Sequence, residues 1–328
     1  MKTTYFKASI SITILLFSVA CGNSRPSEKK VSATIEKKEI FIPSFNADSA
    51  YFFVAQQLSF GPRVPGSTAH ANCLSYLETT LNQFGAAVQI QNFKTRLPDG
   101  NIIEGKNIIA SFQPEKKNRI LLCAHWDSRP NADQDPDPSN HNKPIQGAND
   151  GASGVGVLLE IARHLGQHYT SAGIDIVLFD IEDSGSYGNN DSWALGSQYW
   201  SKNPHQINYT ARFGILLDMV GATDPIFAKE STSMHYAPGI MDMVWKTAAK
   251  LGYADYFKSI SGGSILDDHV PINKYLNIPT INIIDYDDNS STGFFEHWHT
   301  IGDDLSVIDP ISLGVVGRTV MTVIFEEK

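Results

Sequence analysis

Ile174-Asp175-Ile176-Val177-Leu178-Phe179-Asp180-Ile181-Glu182-Asp183 is an apolar, β-branched run that closes on two adjacent carboxylates. Such a run predicts a buried strand. Buried parallel strands belong to α/β folds, where ligands collect outside the carboxyl ends of the strands. Carboxylates are costly to bury without a partner. Glu182 and Asp183 at that end therefore mark where the site is expected.

The flanking chain repeats the pattern. Arg119 to Ala124 reads as a strand that runs into His125-Trp126-Asp127, and Phe213 to Val220 as a strand with Asp218 inside it. Ile278 to Asp285 is a further strand, and Val88 to Phe93 with Asn107 to Phe112 form a hairpin signal around Asp99-Gly100. Helical spacing runs from His70 to Phe84, where Gly85 stops it, and recurs over Val155 to His168, from Trp193 onward, over Pro238 to Leu251 and over Pro310 to Phe325. The alternation predicts one α/β domain with a mostly parallel sheet covered by helices on both faces. Ser128 to Gln146, with Asn131, Asp133, Asp135 and Asp137, is a polar loop of a length that is more often functional than filler.

At 328 residues, 42% hydrophobic and 19% charged, the chain can bury a substantial core. Its net charge of −9 disfavours nucleic acid and anionic lipid as partners. Lys2, Lys7 and the apolar stretch Ile10 to Val19 read as a secretory signal over residues 1–20, too short for a convincing membrane span. Ser18-Val19-Ala20 before Cys21 resembles a bacterial lipoprotein box in which Cys21 is lipidated, with Ser18 in place of the usual Leu; plain secretion with cleavage near Ala20 is the alternative. Residues 21–42, rich in Ser, Lys, Glu and Pro, suit a flexible tether to a catalytic body over 43–328. The expectation is an exported, periplasmic, lipid-anchored monomer. Cys73 and Cys123 are expected as buried free thiols.

The placement of potential ligands is the informative feature. His125 and Asp127 follow one strand, Asp150 sits in Gly147-Ala-Asn-Asp150-Gly-Ala-Ser-Gly154 before a helix, Glu182 and Asp183 end another strand, Asp218 lies in the next, and His299 follows the last by a loop. Asp150 alone would suit a helix cap and His299 alone a surface loop. Together they bring acids and imidazoles to one crevice, where carboxylates raise each other's pKa unless a cation relieves the repulsion. Histidine with carboxylate and no thiolate favours zinc, and three protein ligands with one open position is the catalytic arrangement.

His125-x-Asp127, the Gly147–Gly154 segment, the Glu182-Asp183 doublet, Asp218 and Trp298-His299-Thr300 occur in the order found in the zinc exopeptidase superfamily, which contains dinuclear aminopeptidases and animal-type glutaminyl cyclases. The resemblance runs from about Phe45 to the C-terminus and implies an α/β fold with a central mixed sheet. The insert Ser184 to Leu195 with Trp193, the Leu266-Asp267-Asp268-His269-Val270-Pro271 segment and Trp298 directly before His299 resemble the cyclase branch.

That resemblance implies one zinc per chain on Asp150, Asp183 and His299, with Glu182 as acid/base, Asp218 and Asp267 in a hydrogen-bond network beside it, and Trp193 and Trp298 lining the pocket. The reaction implied is conversion of N-terminal glutamine of peptides and proteins to pyroglutamate with release of ammonia, zinc polarising the γ-carbonyl and Glu182 shuttling the proton. Two departures stand out. Asp183 replaces the Glu usual in animal cyclases, and Cys123 has no evident partner for the disulfide often found there. His125 and Asp218 are residue types that hold a second zinc in the aminopeptidases, so a dinuclear aminopeptidase is the rival enzyme. An exported ligand-binding lipoprotein is the rival without chemistry.

Overall fold

The computed structural model describes residues 1–4, 8–9, 11, 13–14, 41–287 and 290–328. Most of the expected signal segment, and the expected tether apart from Phe41 and Ile42, lie outside the described residues. The folded unit is Ile40–Lys328. Among the described residues no helix is long and apolar enough to cross a membrane.

The strands, in chain order, are β1 (Ala87–Arg96), β2 (Ile102–Phe112), β3 (Arg119–His125), β4 (Gly173–Phe179), β5 (Gly214–Asp218), β6 (Phe227–Lys229), β7 (Phe257–Ser261) and β8 (Thr280–Ile284). The helices are α1 (Ala47–Leu58), α2 (Thr68–Gln83), α3 (Ala152–Leu165), α4 (Leu195–Lys202), α5 (Ser231–Tyr236), α6 (Pro238–Lys250), the single turn α7 (His269–Pro271) and α8 (Pro310–Glu326).

The apolar run becomes β4, and every residue of it is buried. Its side chains alternate between two layers. Ile174, Ile176 and Leu178 enter the larger core with residues of α1, α2, α3, α6 and α8. Val177 and Phe179 enter a smaller core on the other face, with Trp200 of α4 and Ile272 just after α7. Both faces are covered, so the strand reads as continuous rather than alternating hydrophobicity. Asp175 is admitted because its charge is paired: the Arg119 guanidinium donates to both carboxylate oxygens and the Tyr209 hydroxyl donates at 2.9 Å.

The main sheet has the order β1-β2-β4-β3-β5-β8. β3 pairs parallel with β4 and β5, and β5 pairs parallel with β8. β1 and β2 form an antiparallel hairpin, and β2 lies antiparallel on β4. The sheet is therefore mixed, and β4 has a parallel neighbour on one side only. A strand buried on both faces looks the same whichever way its neighbour runs, so the sequence pattern does not report this. The small parallel pair β6–β7 and helix α1 also go unread in the sequence.

Several boundaries differ from expectation for identifiable reasons. The helix expected from Val155 starts at Ala152, after Gly151 at φ 95°. The helix expected from Trp193 starts at Leu195, because Ala194 is left-handed. Asp218, expected inside a strand, is the last residue of β5. Cys73 and Cys123 are free and buried, as expected.

The chain leaves β3 for β4 on one side and later takes β5 on the other. This reversal opens a crevice at the carboxyl ends of the three strands. Register brings the ligands level: His125 pairs with Phe179 and Cys123 with Leu216, which puts His125 and Asp218 side by side. Gly154 lets α3 lie against β5, since a Cβ there would meet the Leu217 carbonyl at 2.2 Å.

Candidate active site

The segments deliver their side chains through turns that L-residues rarely adopt. Ile181, between β4 and Glu182, has φ 55°; Met219, just after Asp218, 48°; Ala194, just after Trp193, 54°; and His299 itself 56°. A β-branched residue at positive φ is an outlier, and each such residue costs about 1–3 kcal/mol unless its surroundings fix it. None is the glycine or asparagine that would announce a turn in the sequence.

Two buried carboxylates hold the ligand-bearing backbone. Asp127 accepts the amides of Glu182 at 3.1 Å and Asp183 at 3.2 Å. Asp303 accepts those of Asn149 at 2.8 Å and Asp150 at 3.1 Å. The Asp150 side chain is not spent on a helix cap, because the cap of α3 is Gly151 and has no side-chain bond. His299, 2% exposed, is not a surface residue.

These supports assemble two overlapping clusters with metal-ligating geometry: Asp150, Asp183 and His299, and His125, Asp150 and Asp218. In the first, His299 Nε2 lies 3.1 Å from Asp183 Oδ1 and 3.6 Å from Asp150 Oδ2. In the second, His125 Nε2 lies 3.0 Å from Asp150 Oδ1 and 3.2 Å from Asp218 Oδ1. Asp150 Oδ2 and Asp183 Oδ2 are buried with no hydrogen-bond partner. Buried carboxylate oxygens are rarely left so, and a cation beside His299 would satisfy both. The donor set fits zinc.

Electrostatics follow from the crowding. Burial pushes Glu182 well above the usual carboxylate range, only partly opposed by His125. Burial, with Asp183 nearby, raises Asp150 to about 6. Burial, with Asp218 nearby, raises Asp267 to about 7, and burial, with Asp150 nearby, raises Asp303 to about 7. Burial also opposes ionisation of Asp183, but His299 and Arg129 outweigh it and hold that carboxyl low. Burial disfavours the His125 and His299 cations, yet the facing carboxylates outweigh it and raise both.

A pH dependence follows. A carboxyl raised on folding binds more protons folded than unfolded, so stability falls as pH climbs from its unfolded to its folded pKa. A histidine raised on folding contributes stability that is present below its unfolded pKa and lost as pH passes its folded one. Asp150, Asp267, Asp303, His125 and His299 thus act in one direction. Chelator-treated protein is expected to melt on the order of 5 °C lower at about pH 8 than at about pH 5.5, as thermal denaturation measures. A melting point that rises over that range contradicts the electrostatic account.

Glu182, Asp218, Asp267, Trp193, Trp298, Asp150, Asp183 and His299 all line one cavity of about 240 Å³. Trp298 stacks on His299 at 3.7 Å between ring centroids, and Trp193 lies parallel to the same imidazole at 6.2 Å. Asp267 Oδ2 accepts from Asn282 Nδ2 at 2.7 Å. His125 and Asp127 are buried beneath this lining. Sequence reasoning missed Tyr187, whose hydroxyl meets His299 Nδ1 at 3.0 Å, and missed Arg129, Asp133 and Asp303. Arg129 had a signal, a cation two residues after Asp127 at the head of an acidic loop, and Asp133 and Tyr187 lay in segments singled out without a role for them; Asp303 had no signal.

Carboxylates and imidazoles converging at the ends of parallel strands, with an aromatic wall, define an α/β protein with a metal-type catalytic crevice. Residues 107–324 match the model of peptidase family M28, and the chain belongs to that family. It is similar to the glutaminyl cyclase of Porphyromonas gingivalis, 53% identical with a TM-score of 0.86 over 87% of this chain and 99% of that one. A Zn-dependent exopeptidase of Parabacteroides distasonis is 51% identical with a TM-score of 0.86 over 88% and 100%. A glutaminyl-peptide cyclotransferase of Drosophila melanogaster is 28% identical over 76% of this chain and 72% of its own length.

Proposed function

We propose that the protein is a glutaminyl-peptide cyclotransferase acting on peptides and proteins that begin with glutamine. The observation that carries this is the cavity: acids and tryptophans line a crevice of about 240 Å³, below the roughly 300–1,000 Å³ of ordinary ligand pockets. That room suits one side chain folded back on its own amine. An acidic lining without Lys or Arg also suits an amine substrate.

Asp150, Asp183 and His299 would hold one zinc, which when bound supplies Lewis-acid polarisation of the substrate's γ-carbonyl. The two carboxylate oxygens without a hydrogen-bond partner, Asp150 Oδ2 and Asp183 Oδ2, both belong to residues of this cluster. Glu182, with its raised affinity for protons, takes one from the α-amine and gives it to the departing amide nitrogen. The α-nitrogen bonds to the side-chain amide carbon, the bond from that carbon to nitrogen breaks, and ammonia leaves. Because nucleophile and electrophile share one residue, Trp193 and Trp298 need only hold the folded conformer. Asp218 and Asp267 hold the polar floor beside Glu182.

Trp193→Ala removes one wall and should lower kcat/KM for a Gln-initiated peptide about ten- to a hundredfold. Unchanged kinetics would remove Trp193 from the substrate pocket.

The second reading, a dinuclear aminopeptidase, draws support from the His125, Asp150 and Asp218 cluster. Metal content and two assays separate them. One zinc per chain, chelator-sensitive ammonia release from a Gln-initiated peptide and no cleavage of a leucine amide support the cyclase; two zincs with leucine release support the peptidase. The proposal extends to location: export under the 1–20 signal and lipidation at Cys21 should place the parent in the membrane fraction and release a Cys21→Ala variant.

A further inference from the structure

Arg129 stands on the loop after β3 and is 3% exposed. Its Nη1 donates to the Asp183 carbonyl at 3.0 Å and to Asp183 Oδ1 at 3.1 Å. Its Nε and Nη2 donate to Asp133 Oδ1 at 2.8 Å and Oδ2 at 2.6 Å. Asp133 Oδ1 in turn lies 3.4 Å from His299 Nδ1. The guanidinium carbon sits 4.9 Å over the Trp193 ring.

We propose that Arg129 is a positioning residue that aims two of the three candidate zinc ligands, Asp183 directly and His299 through Asp133. The inference rests on the metal reading above. By holding Asp183 Oδ1 and the backbone of the same residue, Arg129 leaves Oδ2 as the oxygen without a partner. Fixing Asp133 keeps a carboxylate 3.4 Å from His299 Nδ1, beside the Tyr187 hydroxyl at 3.0 Å, and Nδ1 so engaged leaves Nε2 as the nitrogen that faces Asp150 and Asp183. A planar fork can serve two carboxylates in different directions while stacking on an aromatic face; an ammonium offers a single point charge and cannot.

The test separates positioning from folding. Zinc dissociation constants are measured by chelator competition on parent, Arg129→Met and Arg129→Lys, each checked for a cooperative melt and counted per folded molecule. Arg129→Met is expected to bind zinc about ten- to a hundredfold more weakly. Arg129→Lys should recover melting temperature but not zinc affinity. Unchanged affinity in folded Arg129→Met, or full recovery by Lys, overturns the proposal. Should Arg129→Met fail to fold, Asp133→Ala decides: it removes the carboxylate facing His299 and leaves the Arg129 bonds to Asp183 in place, and affinity at the parent value overturns the proposal. A parent that binds zinc without cyclising glutamine refutes the reaction alone; a parent that binds no zinc overturns both.

Discussion

Asp183→Ala is expected to lose zinc and turnover together, with zinc affinity falling more than the hundredfold typical of losing an outer support. Asp183 contributes one oxygen to His299 at 3.1 Å and leaves the other unpartnered in the crevice. Asp127, committed to the backbone amides of the doublet, and Asp133, committed to Arg129, are not free to replace it. The fold should survive, since Arg129 keeps both bonds to Asp133 and its bond to the backbone carbonyl of residue 183 when the side chain is removed. Metal analysis of purified variant and parent reads the result. A variant with parental zinc content would remove Asp183 from the ligand set.

Glu182→Gln is expected to do the opposite with metal and the same with rate. The amide keeps the length of the side chain, and the backbone amide stays on Asp127 at 3.1 Å. Zinc content should therefore match the parent. Turnover should fall about a hundredfold to ten-thousandfold, the usual size of general acid/base catalysis, because the group that carries the proton from amine to leaving nitrogen is gone. KM should move little, since the walls made by Trp193 and Trp298 are untouched. Turnover at the parent rate would exclude Glu182 from proton transfer. The adjacent residues thus divide the work, one as ligand and one as proton carrier, and the two variants separate these roles.

What the sequence discloses is the part written in residue type and period. The run over β4 is apolar on both faces because both faces are covered, and the doublet after it stands out because carboxylates follow buried hydrophobics. The Gly147–Gly154 segment is legible because Gly151 at φ 95° presses Asp150 against His125; a Cβ there would come within 2.8 Å of His125 Cε1. Strand direction is hidden, so the antiparallel seam between β2 and β4 goes unread. The turns at Ile181, Met219 and His299 are imposed by tertiary packing against local preference, and no propensity reveals them.

Supports that act across long sequence distance are equally silent. Asp303 holds the backbone of Asp150 from the far end of the chain, and Tyr187 meets His299 across more than a hundred residues. Asp183 stands where the resemblance to animal cyclases leads one to expect Glu, and its arm is one methylene shorter. In the fold it sits between the strained Ile181 turn and the Arg129 guanidinium.

The most direct test of the central claim is the mass of a Gln-initiated peptide after incubation with the purified, zinc-loaded protein. The account predicts a product lighter by one ammonia, with every residue still present, and no such product once chelator is added or Glu182 is replaced by Gln. A peptide shortened by its first residue, or one returned unchanged, would contradict it.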